Sequence, residues 1–266
     1  VKPDKERDSK QDERESDVET VFAIIKDSLA HLLTKPGIIL ISTFLALVLW
    51  GPKGRPVFTP LFKDWIVGDL GQQNFRLQML SFGSGVLLLV VVPFVLIKFR
   101  FRERLSDYGL GLGDVKLGAA FCGLVLLLSL PLFYFSSRSP QIWAEYPLIY
   151  QGMDAAEIKQ VFNWSSFLLF EMMYVSFFFV IEFTFRGYML FGLEQQFGRY
   201  TVLIQMLSYT AWHLPKPTGE LLGTPVFGFA VAAVTLRLRS VWYVFFAHWL
   251  LNIFLDLMIL WNRGVI

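Results

Sequence analysis

Long uncharged stretches alternate along this chain with short connections rich in charge, glycine and proline. Residues 36–52, 77–97 and 117–137 contain no charged side chain. The run 165–193 is apolar apart from Glu171, Glu182 and Arg186, and 200–214 ends beside His213. The run 221–236 precedes Arg237 and Arg239, and 240–260 contains His248, Asn252 and Asp256. A helix needs about 20 apolar residues to cross a hydrocarbon core. The pattern therefore predicts an all-α fold, a polytopic transmembrane helical bundle of about seven spans. The first run is short and extends back into an amphipathic segment over 21–33. A cluster of Gly51, Pro52, Gly54 and Pro56 marks a turn after the first span, and 136–164 is a longer polar connection with a short helix expected over 154–161.

Composition agrees with the membrane reading. Of the 266 residues, 55% are apolar and 17% charged, and Phe alone occurs 27 times; the mean hydropathy is +0.51. A water-soluble domain would need more polar surface to cover its core. Charge is concentrated at the start: residues 1–20 hold five basic and eight acidic side chains, and so dense a charge predicts a disordered tail. The rest has 19 basic and 14 acidic residues, a modest excess beside apolar runs that fits an anionic leaflet and no nucleic-acid surface. Lys98, Arg100, Arg102, Arg104 and Lys116 crowd one connection, whereas 136–164 holds only Arg138 and Lys159. The positive-inside rule then places the 98–116 connection, the N-terminus, Arg199, Arg237 and Arg239 in the cytoplasm. The single cysteine, Cys122, leaves no internal disulfide and no cysteine zinc cluster. The expected organisation is a charged tail over 1–20, N-terminal spans and loops over 21–164, and a functional core over 165–260.

Candidate chemistry lies inside that core. Glu182 and Arg186 are four residues apart, on nearly one helix face, and each charge alone would be costly in an apolar span. The pair reads either as a self-satisfying structural ion pair or as a carboxylate held by a guanidinium in a cavity. His213 and His248 fall at membrane depth, and Asn252 follows His248 by four residues. A hairpin about Gly198 sets Glu182, sixteen residues before it, level with His213, fifteen after. A second turn about Arg239 brings His248 and Asn252 toward the same level. Glu220 follows a Pro215–Gly219 turn; it reads either as a helix-start carboxylate or as a group folded back onto the histidines. Glu171 shares the face of Glu182 but lies about 16 Å along the axis, free to pair with a polar group on another span.

Glu182-x-x-x-Arg186-Gly187, Tyr209-x-x-x-His213 and His248-x-x-x-Asn252, in that order on successive spans, resemble the CAAX protease and bacteriocin-processing (Abi) family of intramembrane proteases. Asp107-Tyr108-Gly109-Leu110 and Lys216-Pro217-x-x-Glu220 are similar to features of some bacterial members. The resemblance implies hydrolysis of a peptide bond in a membrane-associated peptide or protein substrate: a tripeptide after a prenylated cysteine, a bacteriocin, or a sorting signal. It implies that Glu182 and His213 prepare water, that His248 and Asn252 stabilise the oxyanion, and that Arg186 orients Glu182. Glu182, His213 and His248 are also a donor set for a divalent metal such as zinc, with one position open. The family motif has two adjacent glutamates, and Ile181 occupies the first position here. Glu220 is expected to supply the missing carboxylate. The alternatives are a non-catalytic membrane scaffold or immunity protein of the same fold, or a proton-coupled transporter. A bacterial cytoplasmic membrane is the expected location.

Overall fold

A computed structural model describes residues 20–266. The tail expected over 1–20 therefore lies outside the described residues, apart from Thr20. The described chain is helical, with no strand. Helix α1 (Thr20–Leu32) meets α2 (Lys35–Trp50) at 81°. Then come α3 (Leu70–Phe101) and α4 (Val115–Ser136), the short α5 (Ala155–Val161) and α6 (Trp164–Glu182). Helix α6 runs through a wide π-helical segment (Phe183–Met189) into α7 (Leu190–Phe197). Helices α8 (Thr201–Trp212), α9 (Thr218–Leu238) and α10 (Trp242–Asn262) complete the bundle.

The helix starts follow from sequence. Asp69, Asp114 and Asn163 each accept a backbone N–H of the next turn, at 2.8–3.1 Å, which satisfies donors that a helix start leaves unpaired. Pro93 in α3 lacks an N–H, and π-helical turns flank it over Leu87–Val91 and Leu96–Phe101. Helix α4 buries only Gly118 and leaves Leu124, Leu127, Leu128, Leu132 and Phe135 exposed. That is the surface of a helix whose solvent is lipid.

Five helices are long and apolar enough to cross a membrane, or six if the bent α1–α2 pair is one span. The protein is thus an integral, multi-pass helical membrane protein. This is roughly the expected bundle of about seven, and the 200–214 segment is one run that does not form a span of its own. Its helix α8 has twelve residues, about 18 Å, too short to cross alone. The hairpin expected at Gly198 is present: that residue has φ 52° and ψ −134°, and α8 packs back on the π segment and α7. Helix α9 then packs along α8, and α10 lies against α4 and α6.

Two ends of the bundle can be told apart. At one, Lys35 binds Glu103 at 2.7 Å, Arg239 binds Glu194 at 2.6 Å, and Val241 N–H donates to the Gly109 carbonyl. The basic 98–116 connection and the Arg239 turn therefore share an end. At the other, Asn262 donates to Ser137 Oγ at 2.7 Å and Arg263 to the Met153 carbonyl at 2.8 Å.

Candidate active site

Glu182 ends α6, and Arg186 lies one turn on, inside the π segment. Thr184 ties this wide turn down by donating to the Val180 carbonyl at 2.6 Å. Neither Glu182 nor Arg186 has any exposed surface, and Arg186 Nε lies 3.5 Å from Glu182 Oε2. The guanidinium stacks 3.9 Å above the Tyr209 ring centroid, and a desolvated cation is attracted to the negative face of that ring. The second oxygen, Glu182 Oε1, lies 2.8 Å from His248 Nδ1. An ionised carboxylate only accepts, so Nδ1–H donates and the ring orientation is fixed, with Nε2 left for other partners.

Sequence spacing placed Glu182 opposite His213. The direct contact of Glu182 is instead with His248 on α10, while His213 lies within its electrostatic range. His213 caps the end of α8, where its Nδ1 donates to the Tyr209 carbonyl at 2.8 Å. In the neutral ring the opposite nitrogen is then an acceptor. That nitrogen, Nε2, lies 3.7 Å from Glu220 Oε1. The Pro215–Gly219 turn has reversed the chain and set Glu220 in the first turn of α9. Asn252 is buried, and its amide donates to Asp256 Oδ2 at 3.3 Å.

Four further groups lie around these residues. Asp256 is one turn beyond Asn252 and fully buried. Glu171 was expected to find a polar partner on another span, but neither of its buried carboxylate oxygens has a hydrogen-bond partner among the described residues. Tyr146, from the 136–164 connection, donates to Glu220 at 3.2 Å, and Lys216 donates to both Tyr146 Oη, at 2.8 Å, and Glu145. Sequence reasoning missed the Glu145–Tyr146–Lys216 group, and no local pattern in the mostly apolar stretch 142–150 marks it.

The Glu182, His213 and His248 set does not suit a metal. One Glu182 oxygen faces His248 and the other faces the Arg186 cation, so neither is free to ligate an ion. Among the described residues no three His, Cys, Asp or Glu side chains are grouped to hold an ion.

No curated protein and no solved structure matches the chain. A protein-family model does match, over residues 163–254, about a third of the chain. Its description is type II CAAX prenyl endopeptidase Rce1-like. Across the segment that holds Glu182, Arg186, His213, Glu220, His248 and Asn252, the chain is therefore similar to the Rce1-like proteins, the family its three motifs resemble.

Proposed function

We propose that the protein is an intramembrane endopeptidase that cleaves a membrane-associated peptide, with Glu220 and His213 as the pair that activates water. The observation that carries this reading is the 3.7 Å separation of His213 Nε2 and Glu220 Oε1. Both atoms are acceptors, because the other nitrogen of His213 carries the proton given to Tyr209. Two facing acceptors suit a water molecule that donates one hydrogen to each. Such a water has its lone pairs free for a scissile carbonyl and a carboxylate ready to take its proton.

The reaction then runs as general-base hydrolysis. The water oxygen bonds to the carbonyl carbon as its proton passes to Glu220. The tetrahedral intermediate collapses with cleavage of the C–N bond, and Glu220 returns the proton to the departing amine. His248, oriented by Glu182, and Asn252 are the donors assigned to the oxyanion. Arg186 holds Glu182 and takes no proton. No step passes through a metal, since the donor set does not suit one.

The substrate class is a peptide processed at or within the bilayer: a C-terminal tripeptide after a prenylated cysteine, a bacteriocin or a sorting signal. The location we assign is the bacterial cytoplasmic membrane, with the N-terminus in the cytoplasm. One observation favours a second reading, a non-catalytic scaffold of the same fold: Ile181 is buried and apolar where the family motif carries its first glutamate.

The experiment is cleavage of an internally quenched peptide with a farnesylated cysteine and three further C-terminal residues by the purified protein. Glu220→Gln and His213→Ala should each lower the rate by about 10²–10⁴, with folding unchanged by circular dichroism. Glu220→Asp should retain part of it. Full activity in Glu220→Ala would reduce Glu220 to a helix-start carboxylate, and no cleavage by the wild-type chain of this or of bacteriocin-leader peptides would favour the scaffold.

A further inference from the structure

Glu220 is not held by its own helix alone. A strap formed by the connection between α4 and α5 packs against the site, and residues 145–150 of it are buried. Tyr146 Oη lies 3.2 Å from Glu220 Oε2 and 3.4 Å from Oε1. The same hydroxyl accepts from Lys216 Nζ at 2.8 Å. With a lysine donor behind it, the phenol can only donate forward, and the acceptor in front of it is Glu220. Burial first, and then the neighbouring Glu220 carboxylate, push the Tyr146 hydroxyl well above the usual phenol range, so it keeps its proton.

Lys216 is itself anchored. Its Nζ lies 3.2 Å from Glu145 Oε1. The other Glu145 oxygen accepts from Lys53 at 2.6 Å and from Gln151 at 3.1 Å. Gln151 in turn accepts from Arg55 at 2.9 Å. A continuous set of polar contacts thus runs from the turn after α2, through the strap, to the carboxylate beside His213. A glutamate that served only the α9 macrodipole would need none of it.

We infer that Tyr146, oriented by Lys216, is a positioning residue that fixes the Glu220 carboxylate against His213. The inference rests on the hydrolase reading for its catalytic consequence and on geometry for the contact. In water-activating sites an ångström of displacement is costly in rate. A carboxylate on a freely rotating glutamate side chain, about 27% exposed, would sample several rotamers. The Tyr146 hydroxyl selects the one that faces His213.

The test pairs kinetics with a stability cycle. Tyr146→Phe keeps the ring and removes the hydroxyl. On the quenched farnesylated peptide it should lower kcat roughly tenfold with KM changed by less than twofold. Lys216→Met should reproduce the kcat loss and Lys216→Arg should restore most of it. In a Glu220→Gln background Tyr146→Phe should have no further kinetic effect. Thermal unfolding of Tyr146→Phe, Glu220→Gln and the double variant in detergent reads the contact without any turnover. Non-additive melting shifts support it, and strictly additive shifts overturn it. An unchanged kcat in Tyr146→Phe, or a loss confined to KM, overturns the positioning role. If the wild-type chain cleaves nothing, the hydrolase reading fails, the positioning role falls with it, and the stability cycle still decides whether Tyr146 holds Glu220.

Discussion

His248 Nδ1 lies 2.8 Å from Glu182 Oε1, so one buried carboxylate faces an imidazole of α10 and, through its other oxygen, a guanidinium of its own chain segment. The arrangement joins α6 to α10, and His213 lies within electrostatic range of the same carboxylate. It also explains how a fully buried Arg186 is retained. Its guanidinium nitrogens have no geometrically ideal acceptor, and the Glu182 charge and the Tyr209 ring supply its compensation.

Truncating Arg186 should therefore damage the fold more than neutralising Glu182. Arg186→Ala leaves a buried carboxylate without its cation, a defect of about 3–5 kcal/mol. Glu182→Gln keeps an oxygen that can accept from His248 and removes one of the two buried charges. Melting in the same detergent should show the lower transition for Arg186→Ala. Equal transitions would mean that the ion pair is not buried.

The sharing of one bundle end by the 98–116 connection and the Arg239 turn gives a topological expectation. Leu112→Cys and Gln160→Cys, both at exposed positions, can be labelled separately in a Cys122→Ala background, because Cys122 is the only native thiol. An impermeant maleimide added to intact cells should label residue 160 and spare residue 112. The reverse pattern would invert the orientation assigned from the Lys/Arg bias.

Much of the bundle was legible because membrane spans announce themselves by length and apolarity, and because turns need particular residues. Gly198, with φ 52°, sits where the hairpin was expected, and Pro215 and Pro217 bracket the turn that returns Glu220 to His213. The four-residue spacing of Glu182 and Arg186 translated directly into an ion pair. What escaped was rotation between helices. Equal distance from a turn sets two residues at one level but not face to face, and the contact of Glu182 went to His248. Helix α8 read as a span because its composition is apolar, although its length cannot cross a bilayer. Tyr146 and Lys216, seventy residues apart, meet only because the strap folds inward; no local pattern encodes that.

Helices α4 and α10 approach closely at one glycine. A Cβ on Gly118 would lie 2.3–2.5 Å from ring atoms of Tyr243, and Tyr243 cannot swing away freely because its hydroxyl donates to the Leu112 carbonyl at 2.8 Å. Small residues at helix contacts let backbones approach in membranes. Gly118→Leu should cost about 1–3 kcal/mol through overpacking, read as a lower melting transition. Tyr243→Ala should recover part of that loss in the double variant. A Gly118→Leu protein as stable as wild type would show that the two helices separate at little cost.

The strap should loosen with acid. Burial raises the Glu145 carboxyl, but the Lys216 and Lys53 ammoniums more than offset it and hold the group below the usual glutamate range. A carboxyl depressed in the folded state contributes stability that is fully present above its unfolded value, about 4.3. That contribution is lost as the pH falls from there through the lower folded value. Docking of residues 139–151 should therefore be constant from pH 7 to about 5 and weaken in more acidic solution. Hydrogen exchange of the strap amides follows it directly. Glu145→Gln removes the titrating group and leaves Lys53 and Lys216 without their shared carboxylate, so its strap should exchange faster at pH 7 and show a flatter acid dependence. An unchanged acid profile in Glu145→Gln would assign the loosening to another group and detach Glu145 from the docking of Lys216.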